Sequence, residues 1–176
     1  MAMPSDSPSS TGRFRRLGAW LEPEANPSGV VYGVLAVGTL LAAEGARRET
    51  YRSVLEASAL ALVLYWLAHA YAHYFGERAE LGTAFSPRRF LHVVAHEAAL
   101  LKGAAVPVAA LLVAWVFHAT LSLGVTIALW TAALELVFLE AAIGVRRKLA
   151  PMELAVETFL GVVLGGGILG IRLLLH

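Results

Sequence analysis

The sequence predicts an all-α protein, an integral membrane helical bundle with about five transmembrane helices. Hydrophobic residues make up 58% of its 176 positions, well above the share found in soluble domains. Charged residues make up only 15%, and most of them lie at the edges of apolar runs. Five such runs approach or exceed the ~20 residues that cross the hydrocarbon core of a bilayer. The lipid bilayer is therefore the first expected partner.

Composition also narrows the available chemistry. The formal net charge is +1, so no strongly basic surface argues for a nucleic-acid partner. The sequence contains no cysteine, which removes disulfides, thiolate metal sites and cysteine nucleophiles. Histidine, glutamate, tyrosine, lysine and the backbone are left as the main chemical groups.

Residues 1–28 are predicted to form a basic N-terminal tail. The first part of this segment is rich in proline and serine and cannot bury enough apolar surface to fold alone. Arg13, Arg15 and Arg16 alternate with aromatic and leucine residues. Two interpretations stand side by side: a flexible tail, or a short helix at the membrane interface.

A five-helix transmembrane domain is predicted over residues 29–176. Its apolar runs are 29–46, 53–76, 90–117, 120–145 and 152–175. The first run is marginal in length for a span. The third run contains Pro107, which predicts a kink where neighbouring helices satisfy the freed carbonyl. The third and fourth runs are nearly continuous, so we expect a tight turn between His118 and Gly124.

Lysine and arginine predict the orientation of the spans. With five spans and the N-terminus inside, nine basic residues fall in inside segments and four in outside segments. The inside residues are Arg13, Arg15, Arg16, Arg78, Arg88, Arg89, Arg146, Arg147 and Lys148. The outside residues are Arg47, Arg48, Arg52 and Arg172. We therefore expect a cytoplasmic N-terminus, a C-terminus on the far side, and a location in a plasma membrane.

Two histidine pairs lie on either side of the loop between the second and third runs. His69 and His73 precede the loop in the motif HAYAH, and His92 and His96 follow it in HVVAHE. Residues four apart on a helix share one face, so each pair presents both imidazoles to the same side. Since the loop allows antiparallel packing, we expect the four histidines to converge with Glu97 or Glu77.

Four interpretations of this cluster remain open. Imidazole and carboxylate are ligands for transition metals such as Zn or Fe, which predicts a metal site at His69, His73, His92, His96 and Glu97. One histidine from each helix could instead ligate a haem, or the cluster could relay protons. The simplest interpretation is that wetted histidines near the interface are hydrogen-bonded and bind nothing.

Other ionisable residues are predicted on the same side of the membrane. Lys102 and Glu135 lie ten or more positions inside their runs (102 − 90 = 12; 145 − 135 = 10). Their depth predicts a buried ion pair, with separate solvation or neutral side chains as the alternative. Glu157 lies near the start of the fifth run. Glu77, Lys102, Glu135 and Glu157 are therefore the candidate proton-binding or ion-pairing residues.

The fifth run is rich in glycine. The pairs Gly161 with Gly165 and Gly166 with Gly170 are spaced four apart, a pattern that lets transmembrane helices approach closely. We expect this face to pack within the bundle or to form a homo-oligomer.

The sequence favours a multi-pass membrane protein that binds a metal or couples transport to protons. The alternatives are a membrane-embedded metalloenzyme or haem protein, and a structural membrane subunit. The outer halves of the spans hold few ionisable residues, mainly Glu44, Glu56 and His118. This scarcity argues against a simple proton relay across the whole membrane.

Overall fold

The computed structural model describes residues 26–44 and 50–175. Residues 1–25 of the predicted basic tail (1–28) therefore lie outside the described residues. Within these ranges the chain forms six α-helices and no strand. They are α1 (Pro27–Glu44), α2 (Tyr51–Leu81), α3 (Pro87–His96), α4 (Ala99–Val116), α5 (Leu121–Arg146) and α6 (Pro151–Leu175). The predicted all-α fold is confirmed.

Four segments are long and apolar enough to cross a membrane: α2, α3 together with α4, α5, and α6. α1 is the shorter fifth apolar helix, at 18 residues. Its backbone hydrogen bonds are satisfied within the helix, as a membrane interior requires. The protein is therefore a multi-pass membrane protein built as a helical bundle.

Local sequence signals explain where several helices begin and end. Thr50 and Ser53 form a reciprocal capping box at the start of α2. Gly82 follows α2 with a φ of 60°, a left-handed conformation that glycine adopts without steric cost. Pro87 and Pro151 occupy the first positions of α3 and α6, where a helix needs no amide hydrogen.

The predicted third span consists of two helices rather than one. At the turn between α3 and α4, the amide of Glu97 donates to the carbonyl of Val93 at 2.9 Å. The next amide, of Ala98, donates to the carbonyl of Ala95 at 3.3 Å. This change from a four-residue to a three-residue hydrogen bond marks the end of α3.

Tertiary packing explains the break. The apolar side of α3 packs on α2, and the residues in contact are Ala70, Tyr74, Phe90, Val93 and Val94. Nε1 of Trp66 on α2 also donates to the backbone oxygen of Val94 at 3.0 Å. α4 packs mainly on α1 and α5 instead. The first half of the apolar run therefore packs on α2, and the second half packs mainly on α1 and α5. Glu97, at the turn between the two halves, is buried.

α1 lies at the centre of the bundle, in contact with α2, α4, α5 and α6. Val34, Val37 and Leu41 on this helix are fully buried. Two glycines bring α1 against α4: a Cβ on Gly33 would overlap the carbonyl of Leu100, and a Cβ on Gly103 would overlap that of Val30. This close contact holds the start of α1 beside the start of α4.

The glycine face of α6 is divided between two environments. A Cβ on Gly161 would lie 3.2 Å from the carbonyl oxygen of Leu136, and one on Gly165 would lie 3.0 Å from the Cα of Ala133, so both glycines pack on α5. A Cβ on Gly166 or Gly170 would meet no described atom within 4 Å. Gly161 and Gly165 therefore pack within the bundle. A homo-oligomer that forms through Gly166 and Gly170 stays a prediction.

Candidate functional site

The site is built around Glu97, whose side chain is only 2% exposed. Its Oε1 lies 2.7 Å from Nδ1 of His73. Its Oε2 accepts a hydrogen bond from Nδ2 of Asn26 at 3.0 Å and lies 3.5 Å from Nε2 of His69. A carboxylate is tolerated in the bundle because these groups replace the hydrogen bonds it loses with water.

Asn26 is oriented by the start of α1. Its Oδ1 accepts hydrogen bonds from the amide of Gly29 and the hydroxyl of Ser28, both at 2.8 Å, as an N-capping side chain does. With Oδ1 held by the helix, the amide nitrogen points to Glu97. The positive end of the α1 dipole also lies on this side, which stabilises negative charge there.

The contact with Glu97 determines which nitrogen of His73 carries the proton. An ionised carboxylate only accepts hydrogen bonds, so Nδ1 of His73 must donate when Glu97 is charged. Nε2 is then the unprotonated nitrogen of the neutral ring. It lies 3.9 Å from Oε1 of Glu77, and the His73 side chain is 47% exposed. The His73 ring is therefore accessible from the surroundings.

Four ionisable groups form a chain that passes through the buried Glu97. In order they are Glu77, His73, Glu97 and His69, separated by 3.9, 2.7 and 3.5 Å. Nε of Arg89 lies 3.7 Å from Oε2 of Glu77 and balances the charge of the outer carboxylate. The first and last steps exceed hydrogen-bond length, so a bridging water or a side-chain rotation has to complete them.

His69 is held between two tyrosines. Its ring centroid lies 5.1 Å from that of Tyr32 on α1 and 6.3 Å from that of Tyr65 on α2. These contacts place Tyr65, His69, His73 and Glu77 along one face of α2, as their four-residue spacing predicts.

These side chains line an open cavity of about 470 Å³, which we call the polar pocket. Its lining residues are Asn26, Ser28, Tyr32, His69, Ala72, His73, His96 and Glu97. The volume is typical of a small-molecule site. Imidazole, amide, hydroxyl and carboxylate groups face one space, so the pocket can hold a polar group and exchange protons with it.

A second cavity, the acidic pocket, adjoins the polar pocket and has a volume of about 380 Å³. It is lined by Pro27, Ser28, Val31, Tyr32, Glu140, Ile143, Arg147 and Glu157. Ser28 and Tyr32 line both pockets. The start of α1 is therefore surrounded by ionisable groups from α2, from the end of α3 and the turn after it, and from the α5–α6 side.

The two predicted histidine pairs contribute unequally to the site. His69 and His73 lie beside Glu97, and His96 lines the polar pocket. His92 is exposed and is not among the described residues that line the pocket. Because the apolar side of α3 faces α2, the polar side with His92 faces outward. This placement gives a ligand role for His92 no support.

The other candidate residues inside the predicted spans, Lys102, Glu135 and Glu157, do not line the polar pocket. Lys102 is the fourth residue of α4, which begins at Ala99, rather than a residue far inside one continuous helix. Oε2 of Glu135 is buried with no hydrogen-bond partner among the residues that the structure describes. The Lys102–Glu135 ion pair stays a prediction. Glu157 lies in the acidic pocket, on the other side of Tyr32 from Glu97.

Metal ligation lacks a ready arrangement of side chains. Across residues 26–44 and 50–175, no three His, Asp or Glu side chains are grouped so that they could hold a metal ion. Glu97 engages one ring nitrogen each of His69 and His73, and these nitrogens are not directed at a common open point. The Zn, Fe and haem interpretations stay predictions.

Sequence reasoning missed two residues of the site, Asn26 and Tyr32. Asn26 was detectable, because asparagine followed directly by proline is a helix-start signal. It falls in the predicted tail, three positions before Gly29, where the predicted apolar run begins. Tyr32 carries no comparable signal, since nothing in the sequence of α1 says which neighbouring helix this side chain contacts.

Comparison with protein-family models, with curated proteins and with solved structures gives no match.

Proposed function

We propose that this protein couples transport to proton binding at the chain formed by Glu77, His73, Glu97 and His69. The observation that carries the proposal is a buried carboxylate, Glu97, held between two imidazoles that line an open pocket. Imidazole changes its charge near neutral pH. Chains of carboxylates and histidines inside membrane bundles are typical of proton relays.

Proton exchange fits the geometry better than metal ligation does. A metal ion requires several unoccupied donor atoms directed at one point. Glu97 instead lies between His69 and His73 and engages a nitrogen of each ring. Such a carboxylate fixes ring orientation and balances positive charge, which is what a site that gains and loses protons requires.

The charge of the cluster depends on how many protons it holds. Glu77 is balanced by Arg89. With Glu97 ionised, one protonated imidazole makes the group of Glu97, His69 and His73 neutral, and protonation of both histidines makes it positive. A solute in the polar pocket therefore meets a site whose charge follows pH. A solute that binds one protonation state of the site more tightly than the other couples its own binding to the binding of a proton.

A coupled titration tests whether the proton is shared. If His69 and His73 share a proton through Glu97, their titrations are coupled, and His69→Gln should change the titration curve of the ¹⁵N signals of His73. Glu97→Gln should change the curves of both histidines. His118→Gln is the matched control, since His118 lies exposed in the turn between α4 and α5. Independent curves for His69 and His73 would contradict a shared site.

Proton movement is tested separately in liposomes that contain a trapped pH-sensitive dye. A site that alternates between the two sides of the membrane carries its proton across without a continuous relay, so the lumen should acidify faster after external acidification with the wild-type protein than with Glu97→Gln. The His118→Gln protein should match the wild type. Equal rates for wild type and Glu97→Gln would argue against proton transport through this site.

A metal- or haem-dependent membrane enzyme is the second candidate. The observation in its favour is that Nδ1 of His73 is held by Glu97, because metal-bound histidines commonly donate their second nitrogen to a carboxylate. Elemental analysis and an absorption spectrum of the purified protein test it. A stoichiometric metal or a haem spectrum that is lost in His73→Gln would favour this candidate over the proton site.

A further inference from the structure

An apolar groove runs between α1 and α2 and has a volume of about 630 Å³. Small side chains leave this gap between the helices. Among the lining residues are Ala36, Thr39 and Ala43 of α1 and Ala61 of α2. On its other side α1 is pressed against α4 at Gly33 and Gly103, so the bundle closes tightly there and leaves its open space on the α2 side.

The groove has the length of one bilayer leaflet. From Tyr32 to Ala43, both of which line it, eleven residues (43 − 32 = 11) rise about 16 Å at ~1.5 Å per residue. That is about half of the ~30 Å hydrocarbon core. Thr39 and Ala43 are exposed along its open side. A hydrocarbon chain that lies parallel to the membrane lipids matches both the length and the lining.

Tyr32 connects the groove to the polar pocket. It lines both spaces, and its ring contacts that of His69. Tyr65, which lines the groove from α2, stacks on the same imidazole. One end of the groove therefore opens at the histidine cluster. An apolar space that ends at a polar site fits an amphiphile, with its chain in the groove and its head group at the cluster.

Charge favours an acidic head group. His69, His73 and His96 line the pocket around one carboxylate, Glu97, so protonation of the imidazoles makes the pocket positive. Glu77 and Arg89 lie at its outer edge and offset each other.

The neighbouring helices add charge around Tyr32. Glu140, Glu157 and Arg147 from the α5–α6 side line the acidic pocket, the third space that meets at Tyr32. Their charges make this pocket unsuitable for a hydrocarbon chain. The apolar groove lined by Tyr32 and Tyr65 meets the polar pocket at this junction, which fits a ligand with one chain and one acidic head.

We propose that this site binds a long-chain fatty acid, with its carboxylate in the polar pocket and its hydrocarbon chain in the groove between α1 and α2. The inference rests on the proposed function, because it names the solute that the proton-binding cluster handles. Binding is expected to strengthen as the pH falls and the imidazoles gain protons.

The test uses palmitic acid that carries a photoreactive diazirine in its chain. The probe is added to the purified full-length protein in detergent at pH 6 and pH 8, and mass spectrometry locates the labelled peptides. We expect labelling at residues 32–43 and 61–65, stronger at pH 6. The methyl ester of the same probe, which has the chain without the charge, should label these residues much more weakly.

Matched variants distinguish binding of the probe in the groove from nonspecific contact of the probe with the apolar surface of the protein. Ala61→Phe fills the groove and should reduce labelling at least tenfold, equivalent to about 1.4 kcal/mol. Ala59→Phe introduces the same side chain at an exposed position two residues away and should leave labelling unchanged. If Ala61→Phe does not fold, Thr39→Phe fills the groove from the α1 side. Equal labelling of the Ala59 and Ala61 variants, or of acid and ester, would overturn the inference.

The results distinguish failure of this inference from failure of the proposed function. If the titrations of His69 and His73 are coupled but Ala61→Phe does not reduce labelling, the fatty-acid inference is wrong and the proton site stands. If labelling requires an open groove and an acidic head group but is the same at pH 6 and pH 8, the fatty acid binds and the proton-coupled role is wrong.

Discussion

Replacing Gly33 with alanine should force α1 away from α4 and disturb the site. The new Cβ would overlap the backbone carbonyl of Leu100, which cannot rotate away as a side-chain tip can. Inserting a carbon into such a packed contact costs about 1–3 kcal/mol. Alanine also stabilises a helix by about 1 kcal/mol relative to glycine, so the steric cost must be measured against a glycine that has space around it.

Gly166 provides this control, because a Cβ there would meet no described atom within 4 Å. Gly166→Ala keeps the gain in helix propensity without the overlap. The difference in unfolding free energy between the two variants therefore isolates the steric cost. We expect about 1–3 kcal/mol, roughly a 5- to 150-fold change in the unfolding equilibrium. Gly103→Ala, which meets the carbonyl of Val30, should behave like Gly33→Ala.

Thermal unfolding of the purified variants in detergent, followed by circular dichroism, measures this difference. Gly33→Ala should also weaken the coupled titration of His69 and His73, because displacement of α1 carries Asn26 away from Glu97. Equal melting temperatures for Gly33→Ala and Gly166→Ala would refute the reasoning. A change in the elution profile of Gly166→Ala alone would instead favour the predicted homo-oligomer through α6.

Reporter fusions after Gly82 and after His176 should report opposite sides of the membrane, as expected for five spans with a cytoplasmic N-terminus; both on one side would contradict that topology. His118→Gly should raise the free energy of unfolding by about 1 kcal/mol, since His118 has a φ of 56° and the left-handed conformation is costly for a residue with a Cβ; an unchanged melting temperature would count against this strain. If a metal co-purifies, elemental analysis should find it lost in His73→Gln and retained in His92→Gln. Loss of the metal in both variants would support a metal site that includes His92, as the spacing of the four histidines predicts.

Part of the site follows from local spacing. His69 and His73 are four residues apart, as are Tyr65 and Glu77 from their nearest histidine, and any regular helix places such residues on one face. The same rule places His92 and His96 together on α3. It does not say whether that face is turned toward α2 or away from it, and the packing of Phe90 and Val93 turns His92 outward.

The break at Glu97 has no strong local signal. Residues 90–117 contain no glycine or proline at the break, and hydropathy alone predicts one continuous span. The turn arises because α3 follows α2 while α4 follows α1 and α5. A hydropathy profile averages the hydrophobicity of residues that are neighbours in the sequence. It contains no information on which helices they pack against, so it does not show the break.

Sequence alone defines the apolar helices, their approximate ends and the histidine stripe on α2, because these depend on local hydrophobicity, capping residues and the 3.6-residue period. Tertiary structure decided that Asn26, Tyr32 and Glu97 meet at this stripe. Their meeting depends on the close approach of α1 to α4, through backbone contacts between residues about 70 positions apart, such as Gly33 with Leu100 (100 − 33 = 67). No local pattern encodes which helices make such a contact.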